Sequence, residues 1–151
     1  MAPVVGQPAP EFTLPSTSGT DVSLAHYRGK SAVVLAFFPL AFTSTCADEL
    51  CAFSEDLARF TAAGAVVLPI SVDSIPTLRE FKAKEEITVE LLSDFKREVC
   101  RAYGTLLEDK FFSRRAYFLV DTQGILRWSH VEAELGHRRD DDELLAQIAA
   151  L

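Results

Sequence analysis

Pro39, Thr43 and Cys46 stand at the spacing P-x-x-x-T-x-x-C, and Cys51 follows five residues after Cys46. A cysteine acts as a nucleophile or a metal ligand through its thiolate, and an ordinary thiol with a pKa of about 8.5 is mostly protonated at neutral pH. A helix start favours the anion, because its first N–H groups lack intrahelical partners and the dipole is positive there. Cys46 is placed at or near such a start. Ala32 to Phe38 is an apolar run that reads as a buried strand, and Ala47 to Thr61 carries apolar residues at helical spacing. Asp48 and Glu49 oppose the anion, so a cation is needed to offset them. Read alone, Cys46 is equally well explained as a small buried hydrophobe, Thr43 as a helix cap and Pro39 as a strand terminator.

Cys51 raises a geometric question. Residues five apart in an intact helix are separated by about 7.5 Å in rise and turned by about 140°. That puts the Cα atoms roughly 8–9 Å apart, beyond the limit of about 7 Å for a disulfide. A Cys46–Cys51 bond therefore requires the first helical turn to unwind; otherwise Cys51 is a buried helix residue. Cys100, within Glu98-Val99-Cys100-Arg101-Ala102-Tyr103, reads as core packing on a helix. The C-x4-C spacing is too wide for a zinc knuckle, and His26, His130 and His137 are scattered. No metal or organic cofactor is implied.

The elements that must position these residues are read from the chain in order. Residues 1 to 31 are turn-rich, with short strands at Glu11 to Leu14 and Val22 to Leu24 forming a hairpin around Ser16 to Thr20. Ser31 to Phe38 is a central strand apolar on both faces. The helix after it turns Leu50, Phe53, Leu57 and Phe60 to one side. Ala65 to Val72 is a second buried strand in spite of Pro69. Pro76 to Lys84 is a helix capped by Asp73-Ser74, and Thr88 to Leu92 is strand-like. Phe95 to Tyr103 is a helix stopped by Gly104, and Leu106 to Ser113 is irregular. Tyr117 to Val120 and Ile125 to Ser129 form a hairpin about Asp121-Thr122-Gln123-Gly124. Glu132 to Arg139 is a loop, and Asp140 to Leu151 a closing helix whose acidic first turn suits the dipole better than it suits a metal. This order predicts an α/β fold, a three-layer sandwich with a mixed central sheet and an N-terminal hairpin. One domain spans residues 1 to 151.

The motif, and the longer string Phe37-Phe38-Pro39-Leu40-Ala41-Phe42-Thr43-Ser44-Thr45-Cys46, resemble the active site of the peroxiredoxins. The string is similar to the one-cysteine alkyl hydroperoxide reductase E branch, whereas Cys51 stands where the bacterioferritin-comigratory branch carries its second cysteine. Ala9-Pro10-Glu11-Phe12-Thr13-Leu14, Leu91-Leu92-Ser93-Asp94 and Arg115-Ala116-Tyr117-Phe118-Leu119-Val120-Asp121 are similar to family segments in family order. The resemblance implies a thioredoxin-like fold and an antioxidant thiol peroxidase. In it Cys46 attacks a hydroperoxide, Thr43 hydrogen-bonds the peroxide oxygen, Pro39 shields the sulfur, and Arg115 is the cation beside the thiolate, with Arg114 as the alternative if the register is off by one. Cys46 becomes a sulfenic acid. Cys51 would resolve it as an internal, redox-active disulfide recycled by a thioredoxin- or glutaredoxin-like reductant. The one-cysteine likeness implies an external thiol instead. Glu49 matches a frequent family glutamate and is otherwise a first-turn carboxylate. Phe37, Phe38, Leu40 and Phe42 are an apolar rim for an alkyl peroxide or packing residues, and Tyr103, Tyr117 and Trp128 are read as packing.

Composition narrows the classes. A formal charge of -7 with mixed signs and no basic run argues against nucleic acid and anionic membranes as partners. No apolar run approaches a bilayer span, and the first residues lack signal-peptide character, so the expected location is cytoplasmic. Three cysteines do not make an extracellular disulfide framework. A homodimer is compatible with the family likeness. Two other functions compete. A thiol–disulfide oxidoreductase would need the C-x-x-C pair this chain lacks, and a non-enzymatic redox sensor would oxidise Cys46 without turnover.

Overall fold

The structure, a computed structural model, describes residues 2–151. Strands β1 (Thr13–Pro15) and β2 (Asp21–Ser23) form the N-terminal hairpin, with Leu14 opposite Val22. A 3-10 turn (Leu24–Tyr27) leads to β3 (Ala32–Phe37), whose six residues are all buried. Helices α1 (Ser44–Glu55) and α2 (Leu57–Ala62) follow, then β4 (Ala65–Ser71) and α3 (Ile75–Lys84). Beyond them come β5 (Leu92–Ser93), α4 (Glu98–Ala102), β6 (Leu106–Leu107) and β7 (Phe112–Ser113). The chain closes with β8 (Ala116–Val120), β9 (Leu126–Val131) and α5 (Asp141–Ala149).

Five strands make the main sheet in the order β5-β4-β3-β8-β9. β3, β4 and β5 run parallel, and β8 and β9 pair antiparallel beside β3, so the sheet is mixed as expected. Side chains alternate across a strand, and β3 therefore feeds two cores. Val34, Ala36 and Phe38 meet Leu50, Phe53, Phe60, Leu78, Phe81, Leu144 and Ile148 from α1, α2, α3 and α5. Val33, Leu35 and Phe37 meet Phe12 and Leu14 from the hairpin region and Val99, Cys100 and Tyr103 from α4 and its end. Fully burying each Leu or Phe contributes about 1.5–3 kcal/mol, which is what fixes β3 at the centre. No helix among the described residues is long and apolar enough to cross a membrane.

Several boundaries differ from the sequence reading. The motif helix begins at Ser44, three residues early, and breaks at Asp56. The break lets Phe53 and Phe60 both face the core, with ring centroids 6.0 Å apart. The strand expected at Thr88 to Leu92 lies instead at Leu92–Ser93, and the following helix is cut to Glu98–Ala102. Leu106 to Ser113 is a tight antiparallel hairpin, with Leu106 opposite Ser113. Pro69 is tolerated because β5 pairs only with Ile70 and Ser71, leaving the rest of β4 as a sheet edge. Ser74 caps α3 as expected, its hydroxyl accepting the Thr77 N–H.

The break at Asp56 abuts the start of α5. Asp141 is 5% exposed, and neither of its carboxyl oxygens receives an N–H or O–H from a conventional donor. What faces it is the Asp56 carboxyl, and two carboxylates satisfy each other only by sharing a proton. Burial first, and Asp56 second, push the Asp141 carboxyl up to about 7, while the same hydrogen bond holds Asp56 down. Arg138, Glu49, Arg59 and Asp142 complete the charges around the pair. The folded chain thus holds a proton that the unfolded chain releases near pH 4, so this pair's stabilisation is lost as pH rises from about 4 through about 7. Asp141→Asn keeps a neutral donor beside Asp56. It is expected to melt higher than wild type at pH 8, by roughly 2–4 °C for each kcal/mol of repulsion removed, and to flatten the pH slope. Parallel melting curves for the two proteins between pH 5 and 8 would contradict a shared proton.

Candidate active site

The register of the sheet brings a distant arginine to the motif. Phe37, the last residue of β3, pairs with Ala116, the first of β8, so Arg115 emerges beside the turn that leaves β3. Its Nη2 donates to Cys46 Sγ at 3.1 Å. Its Nη1 donates to Glu49 Oε1 at 2.8 Å. Cys46 and Glu49 are three residues apart on α1 and share a face, which lets one guanidinium hold both. Arg115, just ahead of β8, and Tyr117, its second residue, are two apart in extended chain and also share a face. The Tyr117 hydroxyl donates to Glu49 Oε2 and accepts the Arg139 N–H at 3.0 Å. Cys46, Glu49 and Tyr117 are fully buried, and Arg115 is 1% exposed.

Electrostatics follow from that enclosure. Burial pushes the Glu49 carboxyl up, and Arg115 and Tyr117 pull it back only in part. Burial also works against the Arg115 charge, but Glu49 and Cys46 outweigh it and the guanidinium is held protonated. Tyr117 is pushed up by burial and then by Glu49, so it remains a hydroxyl donor. Glu49 therefore does more than complement the helix dipole. It fixes the guanidinium that touches the sulfur.

The turn between β3 and α1 carries the other motif residues. Thr43 occupies the N-cap position, with φ −102° and ψ 149°. Its side chain was expected to cap α1, but it accepts no helix N–H. Instead the hydroxyl donates to Leu40 O at 2.9 Å, closing the turn that contains Phe42. Cys46 is the third residue of α1, where backbone N–H groups lack intrahelical carbonyls. A cavity of about 260 Å³ opens over this turn, lined by Pro39, Leu40, Thr43, Phe112, Arg115 and Leu135 among others. Arg115 is the shared wall, facing the cavity and bonded to the sulfur behind it. Arg114 does not replace it: Arg114 is exposed, whereas Arg115 is buried with its guanidinium on the sulfur.

The other two thiols sit differently. Cys51, half-buried on α1, donates to Glu85 O at 3.7 Å at the end of α3. Burial pushes its thiol up, as do Glu85, Glu55 and Asp48. Cys100 is fully buried and is pushed up further, by burial and by Asp94. All three cysteines are free. Of the three, Cys46 alone is hydrogen-bonded to a cation. Among the described residues no cluster of three or more His, Cys, Asp or Glu side chains could hold a metal ion.

Residues 5–129 match the AhpC/TSA family. The chain belongs to that family. It is a peroxiredoxin, a thiol-dependent peroxidase by class. Alkyl hydroperoxide reductase E of Mycobacterium bovis is 38% identical over 149 residues, covering 97% of each chain. A Coxiella burnetii protein that carries the provisional name peroxiredoxin bcp is 38% identical over 141 residues, covering 88% of this chain and 92% of its own. Among solved structures, the reduced 2-Cys peroxiredoxin of Plasmodium vivax superposes with a TM-score of 0.90 at 34% identity, covering 98% of this chain and 82% of that one. Both branches read from the motif thus have relatives here, and the structural neighbour has the thioredoxin-like fold that the sequence led us to expect.

Within this peroxiredoxin the structure brings Cys46 and Arg115 into contact and places Pro39, Thr43 and Arg115 around one cavity. It leaves Cys51 further along α1 with a partner of its own. Tyr117, read as packing, and Arg139 were missed. For Tyr117 the signal was present in the two-residue spacing of Arg115 and Tyr117 where β8 starts opposite the end of β3.

Proposed function

We propose that Cys46 is the peroxide-reducing nucleophile of this peroxiredoxin. The observation that carries this reading is the guanidinium 3.1 Å from its sulfur, braced by a buried carboxylate. The thiolate attacks the terminal oxygen of a hydroperoxide. An S–O bond forms, the O–O bond breaks, and the departing oxygen leaves as water or an alcohol after taking a proton, while Cys46 becomes a sulfenic acid. Arg115 and the free N–H groups of the first turn stabilise the charge that develops on the oxygens. The Thr43 hydroxyl orients the peroxide, and Pro39 keeps water from the sulfur. Pro39, Leu40, Phe112 and Leu135 give the cavity an apolar side that accepts an alkyl hydroperoxide as well as hydrogen peroxide.

The second half-reaction completes the cycle. The Cys51 thiolate attacks the sulfenic sulfur, a disulfide forms and hydroxide leaves as water. A thioredoxin- or glutaredoxin-like dithiol then reduces the bond. One observation favours a second reading, in which an external thiol reduces Cys46 directly: Cys51 is held against Glu85 O among acids that keep it protonated. No nucleic acid or membrane partner is required, and a homodimer is compatible with the scheme. Three unpaired thiols suit a reducing compartment, and we place the protein in the cytoplasm.

Stopped-flow consumption of hydrogen peroxide and of an alkyl hydroperoxide tests the assignment. The wild type is expected to turn over with a dithiol reductant, and Cys46→Ser to lose consumption altogether. A Cys46→Ser protein that still consumes peroxide would overturn it. A single oxidation of wild type without turnover would mark a sensor instead.

A further inference from the structure

The turn that carries Thr43 is held from outside by a residue just past another strand. Asp73 follows β4, and its Oδ2 accepts the Ala41 N–H at 2.8 Å and the Ser71 hydroxyl at 2.7 Å. Ser71 is fully buried, and its Oγ in turn accepts the Asp73 N–H at 3.2 Å. The Ser93 hydroxyl, also buried, holds the Asp73 carbonyl at 2.6 Å. Asp73 is therefore locked on both its backbone and its side chain before it reaches the turn.

Its contact falls just past the last ladder bond between β3 and β4, from Phe38 N to Ile70 O at 2.9 Å. Pro39 cannot donate, so Ala41 N–H is the tie that continues the register into the turn. The next residue, Phe42, has φ +66°. An aromatic side chain in the left-handed region is strained and persists only where its surroundings impose it. Asp73 constrains one side of Phe42. On the other, its ring rests 5.1 Å from the Phe81 ring, with Lys84 Nζ 5.7 Å from its centre. Directly after this reversal, Thr43 turns its hydroxyl back to Leu40 O and α1 begins.

We propose that Asp73 is a positioning residue for peroxide reduction: by holding the Ala41 N–H it keeps Phe42 left-handed, and so aims Thr43 and the first turn of α1 at the peroxide. The proposal rests on the assignment of Cys46 as nucleophile. Capping of α3 does not account for Asp73, because Ser74 performs that task with its own hydroxyl.

The test compares two reactions of Cys46 by rapid-quench mass spectrometry, oxidation by hydrogen peroxide and alkylation by iodoacetamide, a displacement of iodide at carbon that uses neither the Thr43 hydroxyl nor donors aimed at peroxide oxygens. Asp73→Ala is expected to slow oxidation by roughly tenfold to a hundredfold, the scale of a misplacement of about 1 Å, and to leave alkylation unchanged. Asp73→Asn keeps an acceptor for Ala41 and is expected to return to near the wild-type rate. Phe42→Asn in the Asp73→Ala background is expected to recover most of the loss, because asparagine accepts a positive φ more readily than phenylalanine does. Should Asp73→Ala not accumulate folded, Ser71→Ala, which removes one of the bonds that aim Asp73, carries the same comparison. The proposal is overturned by a wild-type oxidation rate in Asp73→Ala (or in Ser71→Ala where it stands in), by equal losses toward peroxide and iodoacetamide, or by no recovery with Phe42→Asn. Wild-type oxidation at Cys46 is measured first and decides the nucleophile separately. A wild type that reacts there, beside an Asp73→Ala form that reacts equally fast, removes Asp73 alone.

Discussion

Arg115→Ala is expected to lower the second-order rate with peroxide by about 10²–10³-fold, the usual cost of removing one donor aimed at developing charge. It is also expected to destabilise the fold by about 3–5 kcal/mol, because it leaves Glu49 as a buried carboxylate without its cation. The two losses have different causes and come apart in a double variant. Glu49→Gln removes the stranded charge and keeps an acceptor for the Tyr117 hydroxyl. Arg115→Ala with Glu49→Gln should therefore recover much of the thermal stability and none of the rate. The pH dependence has a definite sign. Burial already raises the Glu49 carboxyl in the intact site, and removing Arg115 removes the largest opposing influence. The folded single variant then holds a proton that its unfolded chain releases, so its stability deficit should grow as pH rises. Calorimetry from pH 5 to 8 beside peroxide kinetics checks both halves. Full recovery of the rate in the double variant would mean that the guanidinium acts only by neutralising Glu49.

The elements that set this geometry were read from the sequence with uneven success, and the failures share a cause. β3, β4 and the β8–β9 hairpin are announced by continuous apolar runs or by a glycine turn, signals that survive without knowledge of the neighbours. Three departures involve residues at positive φ that are neither Gly nor Asn. Phe42 at +66° reverses the chain ahead of a helix that starts early. Arg97 at +64° shortens α4, and Phe111 at +63° closes the β6–β7 hairpin where an irregular stretch was expected. Phe42 packs on Phe81, and Arg97 lies 4.2 Å from the centre of the Phe111 ring, so each conformation is stabilised by a contact distant in sequence. Propensity carries no trace of such contacts. Arg115 beside Cys46 was reached through resemblance. The Glu49–Arg115–Tyr117 set needed two periodicities at once, three residues on a helix and two on a strand, with the strand register that joins them.

For Cys51 the expected result is a change of secondary structure. One equivalent of peroxide should leave wild type two hydrogens lighter, as a Cys46–Cys51 disulfide, and should reduce its far-UV helix signal. Cys51→Ser should stop at the sulfenic acid with α1 intact, then pass to the sulfinic acid in excess peroxide. The change is forced by distance. Cα atoms five residues apart in a helix lie roughly 8–9 Å from each other, and a disulfide closes only below about 7 Å. α1 has 12 residues, and its first turn starts from the strained Phe42 reversal, so the end nearest Cys46 is the one placed to open. Opening also frees Cys51 from Glu85 O. Because burial and three nearby acids hold that thiol up, its thiolate is scarce at neutral pH, and disulfide formation should accelerate as pH rises above 7 while helix is still intact before oxidation. Time-resolved circular dichroism with quenched mass spectrometry follows both events. A free Cys51, an unchanged helix signal and a long-lived sulfenic acid in wild type would assign the second half-reaction to an external thiol.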